Sequence, residues 1–246
     1  MGNKILVLFL CFSLMVSLIG CVETDIGDSN GNNTTALGSD EMYILILDTV
    51  RCTSDSNVAG DLIITMADGE SELCTVSGKN AGHLTVDVDE SQKTITVKGK
   101  KNISPESITI RVSANIREIK ADKCKLNLDV DFGKTQDIAL ILKGTFYGNV
   151  EMEAETISAD IKGSGDLNLS GTTKDVQIYL DGAAYLDTSM LLAEYADVTV
   201  KGTAICEVYA SNTLNAELYG IGSITYLGNP NTVNKTIKGL GIIQSK

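Results

Sequence analysis

Residues 157–169 read ISADIKGSGDLNL, and the same pattern returns along the second half of the chain. Five residues alternate apolar with polar, a glycine follows, and a second alternating run comes after it. Residues 138–142 (IALIL), 176–180 (VQIYL), 196–200 (ADVTV) and 214–218 (LNAEL) repeat the first run. The glycines Gly144, Gly163, Gly182, Gly202, Gly220 and Gly239 are spaced by 19, 19, 20, 18 and 19 residues. Successive side chains of a strand point to opposite faces, so each run presents one apolar face to a core and one polar face to water. Glycine between two such runs suits a bend where a side chain would clash or φ must be positive.

A period near 19 is too short for a propeller blade, and no helical stretch is present for a leucine-rich repeat. It predicts an all-β fold, a parallel β-helix or β-solenoid with about 19 residues per coil over residues 119–246, each coil stacked on the next. Aligning the coils gives an inward ladder of Gly148, Leu167, Leu186, Cys206, Ile224 and Ile243. Its outward neighbour is Asn149, Asn168, Asp187, Glu207, Thr225 and Gln244. The polarity of the second ladder is an independent check on the register of the first. Residues 42–118 break the period. Strand-like runs at 42–50, 61–66, 83–88, 94–98 and 107–112, separated by turn residues, read as a hairpin-rich capping segment over the first coil. Residues 42–246 then form one domain.

The N-terminus reads differently. Residues 1–20 carry one lysine and no acid, with an apolar run too short to span a bilayer, as in an export signal. Leu18-Ile19-Gly20-Cys21 resembles the bacterial lipobox, which places cleavage between Gly20 and Cys21 and a lipid on the Cys21 thiol. Buried acyl chains, at about 0.8 kcal/mol per methylene, would hold such a protein on a membrane without a protein span. Residues 21–41 are rich in Gly, Asn, Ser, Thr and acids and read as a flexible acidic tether. The expectation is an exported chain, lipid-anchored to a bacterial membrane at the outer membrane or cell surface.

The formal net charge is −12, and −13 once residues 1–20 are removed. That balance argues against nucleic acid and against adsorption to anionic headgroups. Besides Cys11 and Cys21 there are Cys52, Cys74, Cys124 and Cys206, with no CxxC pair and a single histidine, His83. A zinc site is not expected, nor any other metal or cofactor. Unpaired thiols are the default reading for the four, with a Cys52–Cys74 disulfide as the alternative.

The C-terminal residues Gly220-Ile-Gly222-Ser-Ile224-Thr-Tyr226-Leu-Gly228-Asn-Pro230, then Lys238-Gly239-Leu-Gly241, resemble the closing signature of the putative auto-transporter adhesin, head GIN domain family. Gly163-Ser164-Gly165-Asp166-Leu167 is similar to its internal repeat, and residues 83–86, 94–97 and 108–110 to its first strands. The resemblance spans roughly residues 43–244. It implies a right-handed β-helix on a bacterial envelope lipoprotein without established enzymatic activity. The chain departs from the Gly-x-Gly pattern at Ala184 and Ala204, where the second glycine is alanine.

Because β-helices also include polysaccharide-cleaving enzymes, paired carboxylates matter. Asp160, Asp166, Asp181, Asp187 and Glu207 lie at outward positions, and stacking would set Asp187 beside Glu207. A solvated acidic ladder is the plainer reading, and the arginines, Arg51, Arg111 and Arg117, all lie outside the repeat. Lys143, Lys162, Lys201 and Lys238 share a column with Asp181 and Tyr219, a pattern read as charge balancing between coils. Outward aromatics are the better binding signal: Tyr179 and Tyr219, with Ile141 in the column of Tyr179, form the candidate binding face. The expected activity is therefore non-catalytic adhesion, with a glycan or protein as ligand. The rivals are a carbohydrate-active enzyme acting through Asp187 and Glu207, and a structural protein that self-associates into a homo-oligomer.

Overall fold

A computed structural model describes residues 33–36, 42–48, 62–66, 72–78, 81–99, 108–112 and 115–246. The expected signal peptide with Gly20 and Cys21, and Cys52, lie outside the described residues. The chain is all-β: a parallel β-solenoid of about seven coils, roughly 19 residues apart.

From residue 115 onward the chain winds continuously. Strand β8 (Asn115–Gly202) turns corner after corner without losing its hydrogen bonds. It is followed by β9 (Ile205–Tyr209), β10 (Thr213–Gly220), β11 (Ser223–Leu227), β12 (Thr232–Ile237) and β13 (Ile242–Ser245). Two long sides alternate. On the first, β10 lies between β8 and β12, all parallel, with Ala196↔Leu214↔Val233 in register. On the second, β11 lies between β9 and β13, with Cys206↔Ile224↔Ile243 in register. Leu186↔Cys206 continues that ladder into β8. Leu167, Leu186, Cys206, Ile224 and Ile243 are all buried, as the sequence predicts. Gly148, at the head of the ladder, is half-buried.

The corner between the two sides explains the glycine period. Thr203 N donates to Gly182 O (2.8 Å), Ile221 N to Gly202 O (2.9 Å) and Leu240 N to Gly220 O (2.9 Å). The carbonyl of each corner glycine thus points along the stack at the next coil. A Cβ on Gly163 would lie 1.9 Å from Gly144 O, and one on Gly182 would lie 1.9 Å from Gly163 O. No side chain fits at that distance. Ala184 and Ala204 occupy the second glycine position without positive φ. Ala204 is buried and Ala184 half-buried, whereas the equivalent Gly165 has φ +136°, so the backbone of the corner changes where alanine stands.

The N-terminal part differs from the hairpin-rich cap that the sequence predicts. β2 (Met42–Asp48) pairs parallel with the start of β8 and parallel with β6 (Thr94–Gly99). β3 (Leu62–Met66) pairs parallel with β8 and with β7 (Ile108–Val112). β2 with β3, and β6 with β7, are therefore two more parallel layers, and the stack extends beyond residue 119. Their order in space is not their order in sequence: the β6–β7 layer lies outside the β2–β3 layer. The layer outside these is antiparallel. It comprises β5 (Leu84–Asp89) on β6, and β4 (Glu72–Ser77) on β7. β4 is an unanticipated strand whose alternating Cys74 and Val76 are both buried. A further difference falls within the expected tether. Asn33–Ala36 forms β1, antiparallel to β4, held by main-chain bonds that need no apolar side chain.

At the other end, the inward position Ala216 is followed in the next coil by Lys235. Its ammonium donates to Ile243 O (3.2 Å) and lies 4.6 Å from the centre of the Tyr226 ring, closing the core with a charge that stays wet.

Candidate binding face

The outward residues of the first side stand in columns set by the coil register. Ser158, Gln177, Asp197, Asn215 and Asn234 make one. Ile141, Asp160, Tyr179, Thr199 and Glu217 make the next, and Lys143, Lys162, Asp181, Lys201, Tyr219 and Lys238 the third. Tyr179 and Ile141 share a column as the sequence implies. Tyr219 stands in the neighbouring column, two coils away from Tyr179.

Side-chain directions then bring the two columns together. The Tyr179 ring has the Lys162 ammonium 5.0 Å from its centre and that of Lys201 at 4.9 Å. Lys201 also lies 5.8 Å from the centre of the Tyr219 ring, and Lys238 lies 5.0 Å from it. Lysine and tyrosine thus alternate coil by coil as Lys162, Tyr179, Lys201, Tyr219 and Lys238, each cation over a ring face. The acids beside them are engaged. Lys162 pairs with Asp160 Oδ2 (2.7 Å), Tyr179 donates to Asp181 (3.4 Å) and Tyr219 to Glu217 (2.7 Å). The hydrogen bond to Asp160 raises the pKa of Lys162, and the Tyr179 hydroxyl does the same for Lys201.

Beside this stripe lies an open groove of about 570 Å³ lined by Asp160, Lys162, Gln177, Tyr179, Asp197 and Thr199, among others. In it the second oxygen of Asp160, Oδ1, is enclosed and has no hydrogen-bond partner. The groove itself offers the Tyr179 ring, the Lys162 ammonium and the polar side chains of Gln177, Asp197 and Thr199 together. The register also continues a polar ladder nearby, with Asn215 donating to Asp197 (2.5 Å) and Asn234 to Asn215 (2.8 Å).

The proposed carboxylate pair is brought together: Asp187 and Glu207 stand in register on adjacent coils. Both are engaged. Glu207 accepts from Tyr185 Oη (3.1 Å) and from Lys246 (2.7 Å), and Asp187 accepts from Ser189 N (2.8 Å). Burial, followed by the Glu207 contact, pushes the Tyr185 hydroxyl up to about 12. Among the described residues no group of three or more His, Cys, Asp or Glu is arranged to hold a metal ion. His83 is exposed, at the end of a short 3-10 turn. No described helix is long and apolar enough to cross a membrane.

A second concavity, of about 470 Å³, follows the glycine corner toward the C-terminal coils. Small residues (Ala183, Ala184, Ala204, Gly222) form its floor, and Tyr185, Ile205, Ile221 and Leu240 stand around it. Ile221 is 58% exposed and Leu240 83%. Sequence reading missed this groove, although the residue after each corner glycine changes from Thr145 and Ser164 to Ile221 and Leu240 along the column. It also took the lysine column as charge balance, because the ring contacts cross between columns.

Comparison with known proteins bears on the fold as a whole. Residues 57–230 match the profile of the family described as putative auto-transporter adhesin, head GIN domain. Among solved structures, a putative adhesin from Bacteroides fragilis is similar at a TM-score of 0.71 and 19% identity, over 89% of this chain and 98% of that one. A putative lipid binding protein from Parabacteroides distasonis is similar at 0.61 and 15%, over 89% and 98%. A putative adhesin from the same species is similar at 0.58 and 13%, over 87% and 96%. At these identities the likeness is one of fold. No curated protein matches the chain.

Proposed function

This chain belongs to the putative auto-transporter adhesin, head GIN domain family, and from that membership we propose that it is a non-catalytic binding protein of the cell envelope. In this reading Cys21 carries the lipid, the segment after it gives reach, and the solenoid presents the outward face around Tyr179, Tyr219 and Ile141 to a surface glycan. The observation that carries the reading is the groove beside Tyr179. Its wall holds the Tyr179 ring, the Lys162 ammonium and the polar side chains of Gln177, Asp197 and Thr199. Sugars complement such a wall, with C–H groups for the outward edge of the ring and hydroxyls for the polar side chains.

The test is retention of the full-length protein, extracted in mild detergent, on a glycan array. Wild-type protein is retained, and the Tyr179→Ala, Tyr219→Ala double variant loses retention while keeping its β-rich circular dichroism. Unchanged retention by the double variant would defeat the proposal. Catalysis at Asp187 and Glu207 is the weaker reading, because both carboxylates already hold internal donors.

One observation favours a second reading. The corner groove is apolar, and a similar structure is that of a putative lipid binding protein. An acyl chain would lie along Ala183, Ala204 and Gly222 between Ile221 and Leu240. Ile221→Glu should then abolish binding of a fluorescent fatty acid and leave glycan retention intact.

A further inference from the structure

Resting on the glycan-binding reading, we infer that the lysine–tyrosine stripe selects a linear polysaccharide in which alternate sugars are acidic, laid along the solenoid axis. The argument begins with spacing. Neighbouring coils are hydrogen-bonded strands about 4.8 Å apart. A sugar unit in an extended β-linked chain advances by about the same distance, so each coil meets one sugar. The side chains offered coil by coil are Lys162, Tyr179, Lys201, Tyr219 and Lys238, a strict alternation of ammonium and ring. From Lys162 onward lysines therefore recur at every second coil, in step with a disaccharide that carries one carboxylate, and Lys143, one coil earlier, lies outside the alternation. The outward edges of the rings, whose faces the lysines cover, meet the intervening neutral sugars.

Charge distribution supports the same ligand class. The chain as a whole carries −12, which repels an acidic polymer from most of its surface. Along this stripe the acids are each held by an internal donor: Asp160 by Lys162, Asp181 by Tyr179 and Glu217 by Tyr219. Lys201 and Lys238 form no ion pair among the described residues; Lys201 meets the Tyr179 ring and hydroxyl and the Tyr219 ring, and Lys238 the Tyr219 ring. They are cations to which an incoming carboxylate can bind without displacing an existing bridge. Repulsion elsewhere and attraction along one line fix both the place and the direction of the polymer.

The experiment measures binding of detergent-extracted full-length protein to three immobilised polymers: hyaluronan, in which every second sugar is a uronate; polygalacturonate, in which every sugar is; and a neutral β-glucan. Hyaluronan is expected to bind most tightly, with affinity falling as salt rises. Lys201→Gln with Lys238→Gln should weaken it by about tenfold, while Lys201→Arg with Lys238→Arg keeps it. Lys134→Gln, on another side of the coil, serves as the unaffected control. Equal binding of polygalacturonate overturns the alternation. Equal binding of the neutral glucan, with the glutamine variants unchanged and Tyr179→Ala inactive, overturns the acidic ligand and leaves the glycan reading standing. No retention of any polymer by the wild type overturns both.

Discussion

Gly163 has φ +152°, and an added Cβ would lie 1.9 Å from the Gly144 carbonyl oxygen. That oxygen belongs to the main chain of the preceding coil and cannot swing away. Gly163→Ala is therefore expected to destabilise the protein by about 2–5 kcal/mol, combining backbone strain with overpacking. Gly82, with nothing within 4 Å of its Cβ position, should tolerate alanine within about 0.5 kcal/mol. Urea denaturation of the two variants checks the contrast. The thiols allow a second test at this scale. Cys74, Cys124 and Cys206 are buried, and burial pushes Cys74 and Cys206 up to about 12. All three should resist a disulfide-exchange reagent at pH 8 and react once the chain is unfolded. The sign for stability follows from linkage. The folded state favours the neutral thiol, so this contribution is complete below the unfolded thiol pKa, near 8.5. It is lost as the pH rises through about 12, which places the loss in alkaline solution.

At the scale of elements, stability is a sum over coils and the interfaces between them. Strands in the middle of β8 have a coil on both sides, whereas β12 pairs only with β10 and β13 only with β11. Amide hydrogen exchange should therefore be slowest in residues 157–200 and faster in residues 232–245, with β9 to β11 between. Uniform protection through residue 245 would contradict that gradient. Register is legible in the sequence, because the 19-residue glycine period and the apolar ladder each require the same alignment. The order of the N-terminal layers was not. β2 and β6 are alternating apolar strands with near-identical local signals, and nothing local says that β6 lies outside β2. Likewise β1 reads as tether because its pairing with β4 is made by the main chain.

For the whole molecule, the proposal of an anchored binding protein gives an experiment of its own. Cys21→Ser should abolish incorporation of labelled palmitate and release the protein from the membrane fraction, while the β-rich spectrum of the solenoid is unchanged. Palmitate labelling that survives the substitution would remove the anchor from the proposal. The candidate binding face was legible only in part. Tyr179, Tyr219 and Ile141 are outward by alternation alone, and the lysine column is visible in the alignment of coils. The ring–ammonium contacts depend on how far each side chain leans across to the next column, and the unpartnered Asp160 oxygen depends on what encloses it.

By itself the sequence determined the period, the glycine corner, the inward ladder and the kinship with the head GIN domain family. These repeat every coil, so each residue's role is tested several times within one chain. Only the tertiary structure decided the non-sequential N-terminal layers, the alternation of Lys162, Tyr179, Lys201, Tyr219 and Lys238, and the apolar groove beside Ile221 and Leu240. Each of these arises between residues far apart in the chain. Strand pairing and side-chain reach, rather than local pattern, choose which of them meet.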